Sequence, residues 1–350
     1  LKFKMAHRVK NVVGHILAGS HAHPAVAKPG AIVAQATHAA TNGADTTRCC
    51  VLTGAASGIG RATVLKLEAL GWHILAIDCN ETLLKDLDAT TSDRVVIFTC
   101  DISIPQSCIE VKQRAEEMVA KLGLEGLSAL ANIAGRMQGS PAAGVDDEEL
   151  RNLISVNCEA PVRLTRLLMP LLLKAKQPSI CNVASITSEL AFPWGGVYSA
   201  TKGFLSNFSD SLRREARANK LPLRVSVVKP GFIDTPMTTS LARQQLQWCE
   251  SHLDDPFMPA LQKSAARNEF VRVNERLPGS FGGMLASVMG DPQKPMRNSP
   301  QDVAAQIVHA LTADAPRHRY FTGTLLFKGI ISFANVLPSH LRDAFIMQLL

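Results

Sequence analysis

Cys50-Val51-Leu52-Thr53-Gly54-Ala55-Ala56-Ser57-Gly58-Ile59-Gly60 is a short apolar run that opens into a glycine-rich turn. An amphipathic stretch from Arg61 to Leu70 follows and is stopped by Gly71. Trp72 to Ile77 is again mostly apolar and ends at Asp78. Strand, glycine-rich turn, helix, strand and acid succeed one another within about 30 residues, the order of a dinucleotide-binding βαβ unit. The glycines are spaced G-x-x-x-G-x-G, and each has a task. Gly54 and Gly58 permit the tight turn and let backbone approach a pyrophosphate. Gly60 lets the helix pack close to the strand, while Ser57 and Ile59 complete the turn. The helix N-terminus then offers its unpaired N–H groups to phosphate oxygens.

Asp78 bears on which nucleotide is held. A carboxylate at the end of the second strand accepts hydrogen bonds from a ribose 2′-hydroxyl and repels a 2′-phosphate. Cys79-Asn80 come next, without Arg or Lys, so NAD is favoured over NADP. Downstream, the alternation continues. Strands are expected at Val95–Thr99, Leu127–Ile133, Ser179–Val183 and Leu223–Val228. Helices are expected over 106–122, 147–175 (with an apolar patch broken by Pro170) and 198–218. This predicts an α/β fold: one Rossmann-like, doubly wound domain whose central parallel sheet is flanked by helices on both faces.

Within the 198–218 helix lies Tyr198-Ser199-Ala200-Thr201-Lys202. Residues four apart share a helix face, so Tyr198 and Lys202 point the same way. An ammonium beside a phenol favours the phenolate and draws its pKa down from ~10, which suits a general acid or base.

Taken together, these motifs resemble the short-chain dehydrogenase/reductases, in the subgroup with a T-G-x-x-x-G-x-G fingerprint. The resemblance runs from about Cys49 to Met237 and rests on Thr53–Gly60, Asp78, Asp101, Asn132-Ile133-Ala134-Gly135, Asn157, Ser185, Tyr198, Lys202 and Pro230-Gly231. It implies a catalytic set of Asn157, Ser185, Tyr198 and Lys202. Tyr198 would exchange a proton with the substrate oxygen. Lys202 would lower its pKa and hold the nicotinamide ribose. Ser185 would orient the substrate carbonyl or alcohol, and Asn157 would hold a relay water. Asp101 with Ile102 would lie against the adenine, and Asn132, Ala134 and Gly135 would line the cofactor. Ile233 and Thr235, after Pro230 and Gly231, would reach the nicotinamide amide and the phosphates. One position departs from the family pattern: Ile133 stands where a second asparagine helps to fix the sheet.

The expected activity is hydride transfer between NAD(H) and a secondary alcohol or ketone, or a lipid-like alcohol such as a hydroxysteroid or retinoid. A 3-oxoacyl-thioester reductase shares the same core motifs. A dinucleotide-binding scaffold or redox sensor without turnover is the alternative of another class, and the intact Ser185, Tyr198 and Lys202 set argues against it. Residues 236–298 are expected to form a long substrate loop carrying Met237, Trp248, Phe257, Met258, Phe281, Met284 and Met289, a greasy and adaptable wall. Ser299-Pro300 starts a helix to Thr312, and Arg319-Tyr320-Phe321-Thr322-Gly323 follows. The apolar stretch 325–350 contains Lys328, Pro338, Arg342 and Asp343, so it lacks the ~18 unbroken apolar residues of a spanning helix. Its expected partners are its own domain, a second subunit in a homo-oligomer, or the surface of a membrane.

Composition fits this reading. The chain is 46% hydrophobic with few aromatics, enough aliphatic residues for a large core. Its net charge of +7 is uneven: residues 1–48 hold Lys2, Lys4, Arg8, Lys10, Lys28 and Arg48 against the single acid Asp45. That segment reads as a disordered tail or an organellar targeting sequence, ahead of one domain over 49–350. No basic stripe with interleaved aromatics points to nucleic acid. The scattered cysteines form no C-x-x-C pair and no metal site, which fits buried thiols in a reducing intracellular compartment.

Overall fold

The computed structural model describes residues 47–191, 194–231, 233, 235–252 and 298–323, together with 333, 336–339, 341 and 342. The N-terminal segment, most of the 236–298 loop and most of the 325–350 stretch lie outside the described residues.

The described chain runs β1 (Cys49–Thr53), α1 (Gly58–Ala69), β2 (His73–Asp78), α2 (Glu81–Asp88), β3 (Val95–Thr99), α3 (Pro105–Lys121) and β4 (Ala129–Asn132). It continues through α4 (Asp147–Ile154), a π-helical turn (Ser155–Glu159), α5 (Ala160–Leu172), β5 (Ser179–Val183), a 3₁₀ turn (Ile186–Ser188), α6 (Gly196–Ala218), β6 (Arg224–Lys229), α7 (Pro236–Ser251), α8 (Pro300–Thr312) and β7 (Arg319–Phe321). The seven strands form one parallel sheet in the order β3-β2-β1-β4-β5-β6-β7. The order reverses between β1 and β4, and open α/β sheets hold their ligands at the strand C-termini beside such a switch point.

Strands β1, β4 and β5 are buried along their whole length, as expected where helices cover both faces of a parallel sheet. Two separate apolar clusters result. One packs Val64 and Leu67 of α1 and Val303 and Ile307 of α8 against the sheet. The other packs Val111 of α3 and Leu164 and Leu168 of α5 against the opposite face. Local signals start the helices: Asn80 caps α2 by accepting from Leu83 N at 3.0 Å, and Ser299 and Asp302 form a reciprocal capping box on α8.

Three elements go beyond the sequence expectation. The short α2 follows Asp78, α7 occupies the first part of the presumed loop, and β7 adds the last strand. The 147–175 helix is interrupted, but not at Pro170. That proline sits exposed in the last turn of α5, where few turns of helix remain after the N–H it lacks. The interruption is the π turn at Ser155–Glu159, a feature that often marks functional positions.

Candidate active site

The glycine-rich turn between β1 and α1 is built from close backbone approaches. Gly54 has φ +73°, and a Cβ there would lie 2.8 Å from the Ala134 backbone. A Cβ on Gly60 would lie 1.7 Å from the Gly54 carbonyl oxygen, so only glycine lets α1 sit so close to the turn. Gly58 faces Thr235, whose Cγ2 would be 3.2 Å from an added Cβ. Ser57 is the N-cap residue of α1, and its side chain makes no capping bond. Asp78 braces the turn: Oδ2 accepts from Ala56 N at 3.0 Å and Oδ1 accepts from Asn80 N at 3.0 Å. Each carboxylate oxygen keeps a lone pair free for a ribose hydroxyl. A turn stripped of side chains, an open helix N-terminus and an acid at the strand end fit a dinucleotide.

Further along the sheet the expected adenine residues divide. Asp101 is exposed, and its Oδ1 accepts from Ser103 N at 2.9 Å. Ile102 is buried in the core cluster with Cys108 and Val111, so its side chain serves packing. Asn132 is also engaged elsewhere. Its Nδ2 donates to Asn182 Oδ1 at 2.7 Å, and Asn182 Nδ2 donates to Ser209 Oγ at 2.8 Å. This chain of amides ties β4 to β5 and to α6. Ala134 N and Ile133 N both donate to Thr53 Oγ1, each at 3.2 Å, which joins the end of β4 to β1.

Beyond β4, β5 and β6 opens a cleft. Ser185, Tyr198 and Lys202 line it with Gly135, Pro230 and Gly231; Ile59, Ile233 and Thr235 complete the nucleotide side. Ser185 follows β5 and is bonded by Thr187 N at 3.2 Å. The Ser185 side chain lies near enough to the Tyr198 phenol to favour its ionised form. Lys202 Nζ lies 5.8 Å from the Tyr198 ring centroid and donates to the Val183 carbonyl at 2.9 Å. Asn157 sits in the π turn behind them, fully buried. Its Oδ1 accepts from Arg136 N at 2.8 Å, and its Nδ2 donates to Arg136 O at 2.9 Å and Thr201 Oγ1 at 3.0 Å. Gly135 packs closely against both: a Cβ there would lie 3.1 Å from Lys202 Nζ and 3.2 Å from Asn157 Oδ1.

Burial pushes the Tyr198 phenol up to about 12, and the Ser185 side chain only partly opposes this. Burial also draws Lys202 down to about 8. Desolvation is the larger influence on both groups. Tyr198 therefore keeps its proton across the neutral range, while Lys202 titrates near its upper edge.

Other groups around the cleft carry weak or no sequence signal. Met137, Ile186 and Met237 form apolar wall, and Thr187 lies beside Ser185. Lys229, at the end of β6, is buried with its side chain 1% exposed and is paired with Glu189 just after the Ser185 turn. Arg319 of β7 approaches Glu189 at 3.6 Å and also pairs with Asp210 of α6. The ends of β5, β6 and β7 and the middle of α6 are thus tied by one ionic network.

Fold and site define an oxidoreductase that transfers hydride between NAD(P) and an alcohol or ketone. A model of the short chain dehydrogenase family matches residues 48–246, and the chain belongs to that family. Human retinol dehydrogenase 5 is 32% identical over 297 residues, covering 84% of this chain and 86% of that protein. A very-long-chain 3-oxoacyl-CoA reductase from Laccaria bicolor is 32% identical over 173 residues, 49% of this chain and 51% of that protein. A solved short-chain dehydrogenase from Streptomyces avermitilis superposes with a TM-score of 0.61 at 23% identity, covering 85% of this chain and 94% of that one.

Proposed function

We propose that this chain is an NAD-dependent dehydrogenase or reductase of lipid-like alcohols and ketones, such as hydroxysteroids or retinoids. Tyr198 is the general acid and base. The observation that carries the reading is the Ser185–Tyr198 hydroxyl pair in the wall of an apolar cleft, with Lys202 buried beside it. When bound, the nicotinamide supplies or takes up the hydride. In carbonyl reduction the Tyr198 hydroxyl gives its proton to the substrate oxygen, and the Ser185 hydroxyl donates a hydrogen bond to the same oxygen. In alcohol oxidation Tyr198 must accept that proton, so its pKa must fall from the value burial imposes. Charged Lys202 supplies the lowering, and its remaining N–H groups serve the ribose hydroxyls.

The nucleotide is held by the turn Gly54–Gly60, Asp78, Lys202, Ile233 and Thr235. Asp78, with no Arg or Lys among residues 54–60 or 79–80, supports NAD over NADP. The substrate class is supported by apolar Met137, Ile186 and Met237 on the cleft wall and by the likeness to a retinol dehydrogenase. A reducing intracellular compartment is supported by the described cysteines, which are free thiols. Among the described residues no helix is long and apolar enough to cross a membrane. Homo-oligomer formation and peripheral membrane contact through the 325–350 stretch complete the proposal.

Steady-state assays of the purified chain test it, with NAD and NADP in both redox states against retinol, a hydroxysteroid and an acetoacetyl thioester. The expected result is turnover of a lipid alcohol or its carbonyl, faster with NAD. Preferential turnover of the thioester would move the reading to a 3-oxoacyl reductase, which the likeness to the Laccaria enzyme favours. No turnover with any pair would overturn it.

A further inference from the structure

Gln138 is almost completely buried, 1% exposed, in the loop between β4 and α4. Its Oε1 accepts from Val197 N at 2.9 Å and from Tyr198 N at 3.2 Å. These are two of the unpaired N–H groups in the first turn of α6. The N-cap residue itself, Gly195, has no side chain to cap them. An amide from a distant loop therefore does what a serine or aspartate N-cap does elsewhere. The other end of the amide is equally committed, with Nε2 donating to Ser140 O at 2.9 Å and Pro141 O at 3.2 Å.

The carbonyl of Tyr198 is held as well. It accepts from Thr201 Oγ1 at 2.7 Å, Thr201 Oγ1 accepts from Asn157 Nδ2 at 3.0 Å, and Asn157 Oδ1 accepts from Arg136 N at 2.8 Å. Two residues of backbone then lead from Arg136 back to Gln138. The result is a closed circuit of hydrogen bonds that grips the Tyr198 backbone at both N–H and C=O. We propose that Gln138 is the positioning residue that closes this circuit and fixes where the Tyr198 hydroxyl stands relative to Ser185 and Lys202. The proposal rests on Tyr198 being the proton-transfer group.

The loop that carries Gln138 is itself anchored. Glu149 Oε1 accepts from Gly139 N at 2.8 Å, and Glu149 Oε2 accepts from Ser140 Oγ at 2.6 Å. Trp248 of α7 donates from Nε1 to Gly144 O at 3.3 Å. Gln138 therefore works from a braced loop, so losing its acceptor frees the start of α6 and not the loop.

The test compares Gln138→Met, which keeps length but removes the acceptor, with Thr201→Val, which opens the circuit on its other side, and with the double variant. Tyr198→Phe serves as control. A displacement of the reacting group by about 1 Å costs on the order of 10²-fold in rate. Gln138→Met is therefore expected to lower kcat by about 10- to 100-fold, with KM and the NADH Kd within about 3-fold of the parent. The double variant should fall short of the product of the two single losses, as coupled neighbours do. A Gln138→Met enzyme with parental kcat and pH profile would overturn the proposal. So would multiplicative losses in the double variant. Should Gln138→Met not fold, Thr201→Val decides alone, because parental kcat in it removes the circuit. If Tyr198→Phe keeps full activity, the catalytic reading itself fails, an outcome distinct from failure of Gln138 alone.

Discussion

Lys229 carries its ammonium into a place with 1% side-chain exposure and one close carboxylate, Glu189. Removing that carboxylate leaves a buried charge without its partner. Breaking a buried pair in this way costs about 3–5 kcal/mol. The lysine can limit the loss by giving up its proton, which from an ordinary value of 10.5 costs about 5 kcal/mol at pH 7, at about 1.36 kcal/mol per unit. Burial already draws Lys229 below that value, and Glu189 is the main group opposing the shift. In Glu189→Gln the folded-state pKa must therefore fall further. A lysine whose folded pKa is depressed binds fewer protons in the folded than in the unfolded state. Stability then rises with pH until the unfolded lysine has also titrated.

Glu189→Gln is thus expected to destabilise the protein by about 3 kcal/mol at pH 7. The gap to the parent should narrow steadily from pH 7 to 10. Urea unfolding at half-unit pH steps measures both. Adding Lys229→Met should recover most of the loss, because it deletes the orphaned charge and leaves an apolar side chain of similar length. A penalty below about 1 kcal/mol, or one independent of pH, would refute the reasoning, and so would a double variant no better than Glu189→Gln.

Three further outcomes follow from the geometry. Asp78→Ala should reduce the ratio of kcat/KM for NAD over NADP, and, by releasing Ala56 N and Asn80 N, weaken both nucleotides; an unchanged ratio in steady-state kinetics would remove Asp78 from the choice. Gly60→Ala would drive a Cβ to 1.7 Å from the Gly54 carbonyl and should weaken NADH binding at least about 10-fold, read by fluorescence titration, with about 1–3 kcal/mol of overpacking cost. For pH, Lys202 near 8 is charged below that value and neutral above it. The kcat/KM for alcohol oxidation should therefore fall above pH about 8, where neutral Lys202 no longer helps Tyr198 to give up its proton, because this quantity reports groups of the free enzyme. A profile flat to pH 10 would count against Lys202.

Most of the fold was legible because parallel strands write themselves as apolar runs and the glycine turn announces the first crossover. The missed elements are those without such a signature. Helix α2 is one, with only Leu84 and Leu87 buried. Another is β7, three residues long, which gains its place by pairing with β6 and not from its own composition. The chemical groups of the site were legible for a similar reason, since Ser185, Tyr198 and Lys202 are polar residues at a helix spacing or a strand end. Gln138, Thr201 and Glu189 were not, because a glutamine in a loop has no pattern that reveals which N–H it will meet 60 residues later.

The departure at Ile133 shows why the two kinds of information separate. Asn132 spends its amide on Asn182, and through it reaches Ser209 on α6. The next side chain along the strand points to the opposite face, and Ile133 there joins the apolar cluster with Val183 and Ile233 and forms part of the cleft wall. A second amide at that position would be buried among aliphatic groups without an obvious partner, at a cost of about 1–3 kcal/mol. Isoleucine contributes packing instead, and the tie from sheet to catalytic helix is made one residue earlier. What a position must provide here is a contact, and the fold can supply that contact from a neighbouring residue. On the proposed function the proton-transfer group has no such freedom, because it has to meet the substrate oxygen at a single point in the cleft. Chemistry is therefore written at fixed positions that a motif can find, whereas the brace around it can be rebuilt from Asn132, Gln138 or Lys229.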